Sequence, residues 1–558
     1  MVAGLRAVAN RFGGGDTRRK RRALAQCERA GPRDADTLIA YHDCLLFLLA
    51  YPEDAALFDR ARRELLRLVG IARSLAEHGD ARTRRRLEHT GIAWTTLTVG
   101  FGYDIARWLV RRHPHRAELD SFGPEGAPLQ ATMRLALPGM EFELLADEQT
   151  PSLAWLDAAS AGRRGSRLAW LIDAFERIAG GDGVREQLFD ALCPFVKLDP
   201  GKSTLSRSFV RGPASRRFFH QDPLQRSVVP REILDTALRP APPLPATRGA
   251  ALVDAARAML ASMGRETDAI AAAWAEGVEY HRLSRGVGIA LFTMRPDRRG
   301  PLDSHIGFML FKNAVPVAYG GGWPFLSTCR IGVNVFAPFR GGESAWLFCQ
   351  VLRVYRQRFR VERFLAEPSQ FGAGNREGLA SGAFWFYYRL GFRPVKPRIA
   401  AFAREEFARV AHSPGYRVPL AALRRFTHSD IELELAPDSA EPRCDPADLS
   451  LAVSGWIGAR HRGDRVAALA AATAAVRQAL DLDDCRLWPD AERAALAEWS
   501  LVLAQIPDLS AWPLREQRAL VALIRAKGGD EYDFHARLAR ASRLRHALAA
   551  LAAGAAER

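Results

Sequence analysis

The sequence predicts an α+β domain between about residues 277 and 403, flanked by mostly α-helical N- and C-terminal regions. Three observations carry this. Apolar residues recur at helical spacing in several stretches between about residues 35 and 193, the period shortens to that of strands from Val287 onward, and helical spacing returns after Pro419. At 558 residues the chain exceeds one ordinary core and suits three or four domains.

Residues 1–34 read as a basic flexible arm, because a glycine run precedes the cluster Arg18, Arg19, Lys20, Arg21 and Arg22. No apolar stretch follows that would make a signal peptide. Residues 35–238 read as a mostly helical domain. Leu45, Leu46, Leu48 and Leu49 lie on one helical stretch, Pro52 interrupts it, and Leu65, Leu66, Val69 and Ile71 resume it; further helices are predicted near 103–113, 166–179 and 184–193. Prolines 240, 242, 243 and 245 make 239–248 a linker, since proline sustains no helix interior. Residues 249–418 then form the α+β domain, entered by helices at about Ala250–Met263 and Glu266–Gly277.

Within it, Val287–Arg295, Ile306–Lys312, Pro316–Gly320 and Arg330–Phe336 are β-branched or aromatic runs that pair as an antiparallel meander. Gly341–Phe359 is an amphipathic helix, Glu362–Glu367 a strand, Glu377–Leu390 a second helix and Arg398–Phe402 a last strand. Residues 419–445 form an acidic, proline-containing connector. The Ala-, Leu- and Arg-rich helices of 446–558 read as a packing or oligomerisation domain, a surface for homo-oligomer contacts.

A net charge of +16 invites a nucleic-acid partner, because basic clusters release counterions from phosphate backbones. Only about half a dozen of the 79 basic residues are lysine, and such a skew toward arginine, with so much alanine, reflects genome composition more often than phosphate recognition. The seven cysteines form no CxxC pair, so neither a zinc site nor a disulfide framework is predicted, and the longest apolar run, Cys44–Tyr51, is under half a membrane span. A cytoplasmic protein without a bound metal is expected. Gly201, Lys202 and Ser203 end like a phosphate-binding loop, but Val196 stands where its first glycine is needed.

The order β-β-β-β-α-β-α-β, together with three motifs, resembles the GNAT superfamily of acyl-CoA-dependent N-acyltransferases over about residues 277–403. Val335–Ala345 (VFAPFRGGESA) is similar to that family's strand, loop and helix N-terminus. The resemblance implies that Val333 and Val335 on the strand, with Arg340, Gly341, Gly342, Ser344 and Ala345 in the turn, hold acyl-CoA or acetyl-CoA. Helix N-termini bind anions through free N–H groups. Asn375 matches an asparagine that touches the cofactor in many members. Phe386–Phe392 (FYYRLGF) looks like the family's aromatic helix end, which implies that Tyr387 protonates the departing thiolate.

The resemblance also implies a splayed, mixed sheet with helices on both faces and an amine-bearing acceptor. Glu367 at a strand end is the favoured base for that amine, ahead of Glu343, His305 and His281. One position departs from the pattern. Glu343 stands where the family's middle glycine belongs, and a carboxylate there opposes a pyrophosphate unless it points away. Two alternatives follow from it: a donor other than coenzyme A, such as an aminoacyl-tRNA, or a catalytically degenerate module that binds or scaffolds.

Overall fold

The computed structural model describes residues 1–556 apart from 14, 146–148, 162–164, 214–215, 414 and 438–443, so residues 438–443 of the expected acidic connector lie outside the described residues. The chain opens on four helices, α1 (Val2–Ala9), α2 (Asp16–Ala30), α3 (Ala35–Ala50) and α4 (Ala55–His78). The expected flexible arm is therefore corrected. Its basic cluster sits on α2, where Lys20 is fully buried and donates to Glu53 at 2.6 Å, while Leu5 and Leu24 enter the core. Burying one apolar stripe on α3 and α4 offsets the charge that suggested a solvated tail.

The N-terminal region is not helical throughout. Strands β1 (Leu97–Gly100), β2 (Ala117–Phe122) and β3 (Pro194–Leu198) form a small antiparallel sheet in the order β1-β3-β2. After the proline-rich segment comes α5 (Ala246–Ala261).

The second sheet has eight strands: β4 (Ala273–Arg282), β5 (Val287–Met294), β6 (Ile306–Lys312), β7 (Val315–Phe325), β8 (Thr328–Val335), β9 (Arg363–Ala366), β10 (Arg393–Pro394) and β11 (Ile431–Glu434). Their order is β10-β11-β9-β8-β7-β6-β5-β4. Every described pair is antiparallel except β8 with β9, so the sheet is mixed. Between β8 and β9 run α6 (Ser344–Phe359); after β9 come α7 (Arg376–Ser381), α8 (Ala383–Arg389) and, beyond β10, α9 (Pro397–His412).

Three sequence readings change. Residues 273–282 form β4 rather than the end of a helix, because pairing with β5 outweighs the helical preference of an Ala- and Glu-rich segment. Arg398–Phe402 lies inside α9, which Pro397 opens at its first position, and the last strands are β10 and β11 instead. The helix predicted over Glu377–Leu390 is two, broken at Gly382, whose φ of +64° suits glycine.

One continuous core joins the N-terminal region to the large sheet, and a second core organises the helices between Pro446 and Ala556. These last helices dock on the same chain through α10 (Glu531–Leu538). Tyr532 stacks on Phe359 of α6 with ring centroids 5.9 Å apart, and its hydroxyl donates to Gly277 O at 3.2 Å. Lys527 donates to Ser304 Oγ at 2.9 Å. Among the described residues no helix is long and apolar enough to cross a membrane, and no group of three His, Cys, Asp or Glu side chains is placed to hold a metal ion.

Candidate functional site

The parallel pairing of β8 with β9 covers only Thr328–Arg330 against Arg363–Leu365. Beyond it β8 continues to Val335, while β9 ends at Ala366 and turns at Pro368. The far half of β8 thus keeps β7 on one side and has an open edge on the other. Phe336 N–H donates to Val317 O on the β7 side, so by strand alternation Val333 and Val335 turn their backbone groups toward the opening.

A cavity of about 730 Å³ occupies that opening. Val333, Val335, Arg340, Gly341, Gly342, Ser344, Ala345, Asn375 and Tyr387 all line it, so every residue expected to contact the donor, and the expected acid, share one space. Gly341, at φ +77°, provides the left-handed step that turns the chain into α6. The first-turn amides of α6 have no partner four residues back and carry the positive end of the helix dipole. Arg340 is fixed by a 2.9 Å bond from Nε to Val335 O and by an ion pair to Glu377. Among the described residues Arg226, Arg340 and Arg389 face the cavity against one carboxylate, Glu377, so the lining they form is net positive.

Asn375 lines the cavity, but its side chain also builds the wall. It accepts from Gly378 N at 2.8 Å, capping α7, and donates to Ser369 O at 3.0 Å. Tyr387 is 2% exposed and packed edge-on against Phe348 and Phe392. Its hydroxyl makes no hydrogen bond of normal geometry among the described residues, although the Val333 N–H lies near enough to act on it. Burial pushes the phenol pKa above its usual value, and that N–H works against the rise.

Glu343 settles differently from its place in the loop. Its side chain is fully buried beneath the turn, accepting from Lys312 Nζ at 3.0 Å, Arg285 Nη2 at 2.7 Å and Gln225 N at 3.0 Å. It does not line the cavity and makes no side-chain cap to α6. Burial works to raise its pKa, but the Lys312 charge, the Gln225 N–H and Arg285 outweigh burial and hold it below the usual carboxylate range. With two cations against one anion, this carboxylate sets no negative charge against an anion at the turn.

Glu367 stands apart from the main cavity. It lines a hollow of about 120 Å³, half-exposed and 3.6 Å from Arg330. This hollow lies on the face of β7 and β8 where Tyr319 pairs with Asn334, Gly321 with Gly332 and Trp323 with Arg330. Glycine is required at the centre. A Cβ on Gly321 would meet His305 Nε2 at 2.2 Å, and one on Gly332 would meet Gln370 Oε1 at 2.4 Å. Asn334 and Gln370 line both spaces, so the hollow and the main cavity adjoin there.

His305 stacks on Trp323 at 3.9 Å between centroids, and burial lowers its pKa to about 4, leaving it neutral near pH 7. His281 is buried 3.3 Å from Glu279 and lines neither space. The sequence reading missed Arg226, Gln370, Glu377 and Arg389. Arg226 had no local signal, since it lies more than a hundred residues before the motif in an irregular segment that only the fold carries to the site. No protein-family model matches the chain, and no curated protein or solved structure matches it significantly.

Proposed function

We propose that the chain is an N-acyltransferase of the GNAT type that moves an acyl group from acyl-CoA to an amine-bearing acceptor. The observation that carries this reading is the opening between β8 and β9, which joins a free strand edge, a helix N-terminus and a buried phenol in one cavity. In this reading the amides of Ser344 and Ala345, with Arg340, hold the donor pyrophosphate, and the edge of β8 aligns the chain that leads to the thioester. The inward turn of Glu343 supports coenzyme A as donor, because it removes the charge conflict in the loop.

The acceptor enters past Asn334 and Gln370, and its nitrogen attacks the thioester carbonyl carbon while the Val333 N–H donates to the developing oxyanion. The C–S bond breaks, and Tyr387 Oη gives its proton to the leaving thiolate. The surplus proton of the amine leaves through the hollow lined by Glu367, and solvent restores the Tyr387 phenol. Glu367 works through water in this scheme, since it is outside the main cavity.

A second reading, a module that binds donor without turnover, is favoured by the Arg340–Glu377 pair, which already engages the guanidinium. Calorimetric titration with acetyl-CoA and a longer acyl-CoA, beside Arg340→Ala, tests the site. Saturable binding weakened in the variant is the expected result, and no binding at millimolar donor would overturn it. Amine-dependent release of free thiol then separates the enzyme from the module.

A further inference from the structure

A third space, of about 410 Å³, lies on the far side of the same turn. Arg340 and Gly342 line both it and the main cavity, so the two adjoin at the anion-binding loop. Beyond the turn, whose Ala337 and Pro338 also line it, its walls come from the N-terminal region. α1 is anchored by the buried Leu5, and its end is tied down by Arg226, which lines the main cavity and donates through Nη2 to Asn10 O at 3.1 Å. α3 presents Ile39, Ala40 and Phe47, which with Pro338 give the space an apolar floor.

The rim is charged and unevenly satisfied. Arg86 donates to Asp36 at 2.6 Å, and Asp43 accepts from Arg207 at 2.6 Å. Arg6 faces the space with no hydrogen bond or ion pair among the described residues. An apolar floor with carboxylates at its edge suits a flat heterocycle bearing an exocyclic amine, and an unengaged guanidinium suits a phosphate.

We infer that this space is a nucleotide subsite, in which α1 and α3 hold the 3′-phosphoadenosine end of the acyl donor: the base on the floor beside Phe47, the 3′-phosphate on Arg6. The inference rests on the acyl-CoA reading and extends it to residues far outside the α+β domain. It also gives the N-terminal helices a part in donor selection, because a donor lacking the nucleotide makes none of these contacts.

The test uses the full chain and its Arg6→Ala and Arg6→Lys variants, titrated with acetyl-CoA, 3′-dephospho-acetyl-CoA, S-acetyl-4′-phosphopantetheine and adenosine 3′,5′-bisphosphate. Arg6 is exposed, and matched thermal unfolding of the variants establishes that they fold. The expected result is that adenosine 3′,5′-bisphosphate competes with acetyl-CoA, and that Arg6→Ala weakens both about tenfold or more while leaving the other two ligands unchanged. Arg6→Lys recovers part of the loss. Equal affinities across the variants, or an equal loss for all four ligands, overturn the inference while leaving the donor site intact. Failure of acetyl-CoA and S-acetyl-4′-phosphopantetheine alike to bind the unaltered chain would instead overturn the acyl-CoA reading, and this inference with it.

Discussion

Glu343→Gln separates two accounts of the same residue. If the carboxylate faced the donor, its removal would tighten acyl-CoA binding and leave the fold alone. Its position predicts the reverse. The carboxylate is fully buried and accepts from Lys312 at 3.0 Å and Arg285 at 2.7 Å, and Lys312 is itself fully buried. A glutamine keeps the shape and one acceptor, but turns an amide NH₂ toward groups that are all donors and leaves Lys312 without a counter-charge.

Breaking a buried pair from one side costs about 3–5 kcal/mol. At 1.4 kcal/mol per factor of ten, that cost speeds amide exchange in the first turns of α6 by roughly two to three and a half orders of magnitude. Leu347 N–H, bonded to Glu343 O at 2.8 Å, is a suitable probe. Hydrogen exchange read by mass spectrometry over residues 336–350 measures the change, with acetyl-CoA titration beside it. The double variant Lys312→Met/Glu343→Leu should regain most of the protection, since removing both charges leaves no buried ion unpaired.

The folded-state pKa of Glu343 lies below its unfolded value, so its contribution is present above about pH 4.5 and is lost as pH falls through the lowered value. Unchanged exchange in Glu343→Gln together with tighter donor binding would refute the assignment.

If Tyr387 is the general acid of the proposed acyl transfer, Tyr387→Phe should lower its rate by about a hundredfold while leaving donor affinity within a factor of two or three; single-turnover kinetics with titration decide this. Gly321→Ala should cost about 1–3 kcal/mol and raise the acceptor KM more than the donor KM, because its methyl displaces His305 from beneath Trp323. His42 and His220 are buried, with pKa values lowered to about 4 and about 2, chiefly by burial. The unfolded chain therefore binds more protons below pH 6.5, and each histidine should remove up to about 1.4 kcal/mol of stability per pH unit as pH falls from 6.5 toward its folded value. Urea unfolding of wild type and His220→Phe between pH 7 and 5 reads out the slope, which should be shallower in the variant. Phe359→Ala should cost about 3–5 kcal/mol and loosen α10 from α6, detected as faster proteolysis between the α+β domain and the C-terminal helices.

The sequence by itself determined the elements whose signal is local. β6 was legible to the residue as Ile306–Lys312, and β5, β8 and α6 to within a few positions, because side-chain alternation and helical periodicity are written into consecutive residues. The loop before α6 and the aromatic helix end were legible through their resemblance to a known family's local motifs, and the residues drawn from them line one cavity. Glu367 was chosen as a strand end near that loop, and only the fold shows it on the neighbouring hollow.

Tertiary structure decided whatever depends on a distant partner. β4 is a strand because β5 is beside it, and α2 is ordered because Glu53 and an apolar core receive Lys20 and Leu24. Glu343 turns inward because Lys312 at the end of β6 and Arg285 before β5 neutralise it below the turn. Arg226 and Arg6 reach the loop only because the N-terminal region packs against it. Periodicity is a property of neighbours along the chain, whereas charge pairing and cavity walls are properties of neighbours in space.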